Sequence, residues 1–117
     1  MTLREKQSKF VELVALLISE FTERGFALTF GEAWRSPEEA VRLATTGAGI
    51  EHSLHTQRLA IDLLLFINGQ YQSDTAAYEP MGVWWEAQSR DDYTCCWGGR
   101  FSRPDGDHFS IEHEGVK

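Results

Sequence analysis

The stretch Leu59-Ala60-Ile61-Asp62-Leu63-Leu64-Leu65-Phe66-Ile67, running into Asn68-Gly69 and then Gln70-Tyr71-Gln72, decides how the rest of the chain is read. Residues 59–67 form the most apolar run in the sequence, of a length that suits a buried strand. Asn-Gly tolerates the positive φ angles of a tight two-residue turn, so the run folds back on itself as a hairpin. One charged residue, Asp62, interrupts it.

Working outward, Ser73 or Asp74 can cap a further helical stretch, which Pro80 breaks or restarts and to which Met81, Trp84 and Trp85 lend an apolar face. Two more strands are expected around Tyr93–Trp97 and His108–Ile111. Upstream, residues 46–53 contain Gly47 and Gly49 and read as a loop. Before it, Ser36-Pro37-Glu38-Glu39 is a helix start, with Ser36 as cap, Pro37 in the first turn and Glu39 at the capping-box position; this helix runs to about Thr45. Phe26, Leu28 and Phe30 alternate with Ala27, Thr29 and Gly31 as in a strand that reaches toward Trp34. Phe10, Leu13, Val14, Leu17, Ile18 and Phe21 recur at helical spacing, with Thr2 placed to cap the start and Gly25 to end the helix. The expected architecture is α+β, a small antiparallel sheet packed against a few helices, in one domain spanning residues 1–117 with no separate binding module. Internal repeats and low-complexity linkers are absent.

The chain has 117 residues, 42% of them hydrophobic and 25% charged, which is ordinary for a globular domain with a modest stability margin. Eighteen acidic residues against 11 basic ones give a formal charge of -7, which argues against nucleic acid and against an anionic membrane surface as partners. Cys95 and Cys96 are adjacent and would make a strained disulfide; neither is spaced as part of a thiolate zinc site. The apolar run Leu13–Ile18 follows Arg4, Lys6 and Lys9, as a secretion signal would, but Glu12 and Glu20 bracket it and no small-residue cleavage site follows. No stretch is long enough to insert in a membrane. The expectation is a monomer made in the cytoplasm without a signal peptide.

A carboxylate in a strand as apolar as 59–67 is costly to bury unless a cation or several donors meet it. Asp62 can instead face solvent at a sheet edge, or pair with Arg58 or Arg42. His55 lies just before the strand, and His108 begins a strand-like segment after Pro104-Asp105-Gly106. Two imidazoles and one carboxylate are the ligand set of a catalytic zinc ion, with a fourth position left for water. Asp105, three residues before His108, can serve as the base such a site needs; Asp107 is the local rival, and both also suit plain turn chemistry.

Ser53-x-His55-x6-Asp62 followed by Asp105-x2-His108 resembles the zinc metallopeptidases that include D-alanyl-D-alanine carboxypeptidases, D,D-dipeptidases and phage L-alanyl-D-glutamate endopeptidases. Their first motif is Ser-x-His-x-x-Gly-x-Ala-x-Asp, on which Ser53, His55, Ala60 and Asp62 fall, and their second is an acid three residues before the last histidine. Glu32-Ala33-Trp34-Arg35-Ser36-Pro37-Glu38-Glu39 is similar to the family's arginine segment, and Trp97-Gly98-Gly99-x-Phe101 to its Trp-Gly-Gly segment. The matches span about two-thirds of the chain in the family's order. One position departs: the family's glycine three residues after the first histidine is Arg58, which bears on loop shape and substrate fit more than on metal binding.

The resemblance implies a Hedgehog/DD-peptidase-like fold and one zinc ion held by His55, Asp62 and His108. It implies Asp105 as general base and Arg35 as stabiliser of the oxyanion, against the alternative of a salt bridge from Arg35 to Glu38 or Glu39. Ser53 would hydrogen-bond substrate or orient a ligand, and Trp97 would wall the cleft, although aromatic residues so spaced also serve as core. His52 is expected near the site without ligating, and His113 at the surface. The implied activity is hydrolysis of peptidoglycan stem peptide, as in a phage-type L-alanyl-D-glutamate endopeptidase (an endolysin) reaching the wall from the periplasmic side after release. A D,D-carboxypeptidase or dipeptidase is the alternative enzyme, and a non-catalytic zinc-containing binding module of the same fold is the alternative outside catalysis.

Overall fold

Strand alternation assigns each residue of a strand to one face of the sheet, and here it separates the core from the candidate chemistry. In the computed structural model, which describes residues 1–117, the chain forms α1 (Leu3–Glu23), β1 (Ala27–Phe30), α2 (Pro37–Thr46), β2 (Ala60–Ile67), β3 (Gln70–Tyr71), α3 (Glu79–Glu86), β4 (Cys95–Trp97) and β5 (His108–Ile111). The sheet is antiparallel in the order β1-β2-β5-β4, with β3 also paired to β2. It is the α+β arrangement expected, and no helix is long and apolar enough to cross a membrane.

The local signals act as their chemistry requires. Thr2 and Glu5 form a reciprocal capping box at the start of α1, and Gly25 leaves the helix at φ +92°. Ser36 Oγ accepts the Glu39 N–H at 3.1 Å, but the Glu39 carboxylate turns to Arg42 and the box stays half made. Asn68 and Gly69 carry φ angles of 51° and 77° in the β2–β3 turn. Asp74 caps the short turn Thr75–Tyr78, and Pro80 sits in the first turn of α3, so it restarts a helix.

Ile61, Leu63 and Leu65 of β2 are buried with Phe10, Leu13, Leu17 and Phe21 of α1, Met81 and Trp85 of α3, and Phe109 and Ile111 of β5. Trp85 Nε1–H donates to the Ser110 carbonyl at 3.0 Å, and Tyr78 Oη accepts from Leu65 N–H at 2.9 Å while donating to the Gln72 carbonyl at 2.8 Å. Large polar aromatics are thus buried with their polar atoms satisfied. The cysteines are free; Cys95 is buried, and burial pushes its thiol up to about 12.

Arg58 explains the departure from the glycine pattern. It ends the turn Leu54–Gln57 in the left-handed region, at φ 56° and ψ 36°, a conformation glycine adopts without cost. Its guanidinium lies 5.0 Å from the centre of the Trp34 ring. The left-handed backbone costs a non-glycine residue about 1 kcal/mol, and an exposed cation–π contact offsets about 0.5–1 kcal/mol of that. We expect Arg58→Gly to stabilise the protein more in a Trp34→Ala background than in the wild type, measured by urea unfolding of the four proteins of the cycle. Equal effects in both backgrounds would remove the stacking explanation.

Candidate metal centre and active site

Antiparallel pairing of β2 with β5 puts Asp62 directly opposite His108, so both side chains leave the same face of the sheet. Their strand neighbours Ile61 and Phe109 are opposite one another on the core face. His55 comes from the turn Leu54–Gln57, where Ser53 Oγ accepts its backbone N–H at 3.2 Å. Beyond β1 the pairing with β2 continues: Gly31 N–H donates to the Asp62 carbonyl at 2.8 Å, and Asp62 N–H donates to the Glu32 carbonyl at 2.9 Å. That extension delivers Arg35, whose own N–H donates to the His55 carbonyl at 3.2 Å.

The three expected ligands converge. His55 Nε2 lies 3.4 Å and His108 Nδ1 3.6 Å from Asp62 Oδ1, and the three atoms lie within 4.8 Å of one another. Asp62 Oδ1 is buried with no hydrogen-bond partner, so these contacts are electrostatic approaches rather than aligned hydrogen bonds. His55 Nδ1 lies 3.3 Å from the Ala33 carbonyl, the arrangement in which Nδ1 carries the proton and Nε2 keeps its lone pair. An orphaned carboxylate oxygen facing two imidazole nitrogens is a donor set that fits a divalent cation. His108 Nε2 is also buried without a partner, beside the Phe101 ring.

The charges around this point shift one another's proton affinities. Burial pushes the Asp62 carboxyl up, but the His108 and His55 imidazoles outweigh it and hold the group down at about 2. Burial likewise pulls His55 down, and Asp62, the Ala33 carbonyl and Glu32 together leave it raised. Asp107 is pushed up to about 7, first by burial and then by Asp105 and Asp62.

Arg35, Ser53, His55, Asp62, Asp105 and His108 all line an open cleft of about 440 Å³. Its remaining walls include residues 47–50 and Arg103. Asp105 is exposed, with Oδ2 4.0 Å from His108 Nδ1, whereas Asp107 is half-buried and off the cleft wall. Arg35 is ion-paired to Glu32, so the alternative bridges to Glu38 and Glu39 do not form. Sequence reasoning gave Glu32 no role; its position three residues before the arginine was the available signal. His52 is exposed and off the cleft wall, and His113 is half-buried against Lys6.

Trp97 does not wall the cleft. It is opposite Phe109 in the sheet, on the core face, one residue out of phase with His108. It is 3% exposed, and its Nε1–H donates to the Gly106 carbonyl at 2.7 Å. Trp97 therefore anchors from behind the loop that carries Asp105. Gly98 lets that loop close: a Cβ there would lie 2.1 Å from the Asp105 carbonyl oxygen and 2.8 Å from His108 Cβ.

Residues 46–111, more than half of the chain and including His55, Asp62, Asp105 and His108, match the family model described as D-alanyl-D-alanine carboxypeptidase. The chain belongs to that peptidase family. Its fold is also that of the L-Ala D-Glu endopeptidase ChiX of Serratia marcescens, with a TM-score of 0.72 at 20% identity over 90% of this chain and 79% of that one. No curated protein sequence matches.

The Gly106 carbonyl is buried, and removing its donor leaves it unsatisfied at a cost of about 1–3 kcal/mol. We expect Trp97→Phe to lower stability by about that amount in urea unfolding. A loss well below this would show that the indole N–H does not secure the loop.

Proposed function

We propose that the chain is a zinc-dependent peptidase acting on the stem peptide of bacterial peptidoglycan, and that it cuts between L-alanine and D-glutamate. The observation that carries this reading is the convergence of His55 Nε2, Asp62 Oδ1 and His108 Nδ1, with the carboxylate oxygen buried and unpartnered. These three residues would hold the ion, which when bound supplies a Lewis acid able to activate water and polarise a peptide carbonyl at neutral pH. Asp105 reaches the open cleft beside His108 and takes the proton from the attacking water, then returns it to the departing amine. Arg35 also faces the cleft and stabilises the negative charge that develops on the carbonyl oxygen. Ser53 holds the turn that presents His55.

Substrate charge supports the reading. Although the chain is acidic overall, Arg35, Arg103 and Lys117 all border the cleft, which suits a peptide carrying free carboxylates. The bond named for the fold neighbour is the L-alanyl-D-glutamate one, whereas the family description favours D-alanyl-D-alanine as the second reading. Digestion of defined muropeptides followed by mass spectrometry separates the two by which bond disappears, and failure to cut either favours the binding-module reading.

Asp105→Asn should lower kcat by about 100-fold or more, the usual worth of a general base, while Asp107→Asn should retain most activity. The reverse ranking would transfer the base role to Asp107. A pH series tests the metal ligands. In the metal-free protein Asp62, held at about 2, contributes stability above its ordinary value that is lost as pH falls through about 2. His55, raised, contributes stability below its ordinary value that is lost as pH rises through its folded value. Zinc needs His55 deprotonated, so the increase in Tm on adding zinc should grow as pH rises through the raised folded value of His55. An increase independent of pH would count against His55 as a ligand.

A further inference from the structure

The match to the peptidase family begins at residue 46, and the segment 31–35, whose backbone pairs with Asp62 and His55, lies before it. Within that segment one carboxylate oxygen faces two functional groups at once. Glu32 Oε1 is 2.5 Å from Arg35 Nη2 and 3.7 Å from His55 Nδ1. The oxygen is itself buried and lacks an aligned hydrogen bond, while the Arg35 side chain is 12% and the His55 side chain 4% exposed. The backbone fixes this placement, because the Glu32 carbonyl accepts from Asp62 N–H and the Ala33 carbonyl lies against the same His55 nitrogen.

We propose that Glu32 is the positioning residue that couples the two halves of the site: its carboxylate, lying between the Arg35 guanidinium and His55 Nδ1, orients the arginine and holds the imidazole with Nε2 free for the metal. This rests on the reading of His55 as a zinc ligand and Arg35 as the oxyanion partner. The physical ground is that a carboxylate or carbonyl behind a ligating imidazole fixes the proton on the far nitrogen and raises the basicity of the near one. The Ala33 carbonyl supplies the neutral part of that support and Glu32 the charged part. The same negative charge compensates a nearly buried guanidinium, whose position would otherwise depend on cleft solvent. Leucine-like filler at residue 32 would satisfy neither group. A purely structural ion pair, by contrast, would affect folding and leave metal affinity alone.

The test is zinc affinity, measured by competition with a chromophoric chelator, in Glu32→Gln, which keeps shape and removes charge. We expect zinc to bind about tenfold more weakly, the low end of the range for a partner behind a metal ligand, with Glu32→Asp recovering part of the loss. In steady state kcat should fall with KM nearly unchanged, since the arginine acts on charge that develops in the transition state. Should an uncompensated Arg35 prevent Glu32→Gln from folding, the double variant Glu32→Gln/Arg35→Gln removes both charges and should show the same tenfold weakening. Zinc affinity within twofold of wild type in the folded variant overturns the role given to Glu32 and leaves the proposed function standing. A wild-type protein that binds no stoichiometric zinc overturns both.

Discussion

The site depends on one unfavourable placement, a carboxylate in the middle of the most apolar strand of the molecule. Asp62 is largely removed from water, which by itself would drive it neutral. It remains ionised because β5 sets His108 opposite it and the turn before β2 sets His55 above it. Three groups that each lose solvation on folding therefore compensate one another, and a dication between them would compensate all three. The Asp62 Oδ1 oxygen, buried and without a donor, is the atom such a dication would satisfy.

Much of this was legible because it is local or periodic. A charge within a run of aliphatics marks Asp62, and the Asp-x-x-His spacing marks Asp105 and His108. Helix starts, the Asn-Gly turn and the restart at Pro80 are fixed within a few residues of chain. The α+β class and the strand at His108–Ile111 followed from the same signals. What stayed hidden depends on register, which is a property of two distant segments together. Trp97 illustrates this. An indole suits a cleft wall or a core equally, and pairing with Phe109 sends Trp97 to the core. Glu32 was hidden for a different reason, since an acid near a helix start ordinarily serves solvent or a cap, and its burial comes from the strand extension alongside Asp62.

Arg58 shows how a family pattern and a backbone requirement are related. The position needs a left-handed residue because the chain must turn sharply between the His55 turn and β2. Glycine meets that need without strain, whereas arginine meets it with strain that the Trp34 stack offsets in part. The substitution leaves His55 and Asp62 in place, so ligand geometry tolerates it.

The two faces of the sheet impose different constraints on change. The core face packs α1 and α3 against β2 and β5, so alterations there act through stability. On the other face, strand pairing holds Asp62 and His108, and a short capped turn holds His55. The cleft walls, however, are loops: residues 47–50 on one side and Phe101 to Asp105 on the other, bridged where Arg103 Nη1–H donates to the Gly47 carbonyl at 3.4 Å. Loops tolerate substitution and insertion far better than paired strands. Register therefore fixes the spacing of Asp62 and His108 independently of the walls. The positions of His55, Asp62 and His108 are thus set by strand and turn geometry, while the loops at residues 47–50 and 101–105 can change the shape and charge of the cleft without moving them.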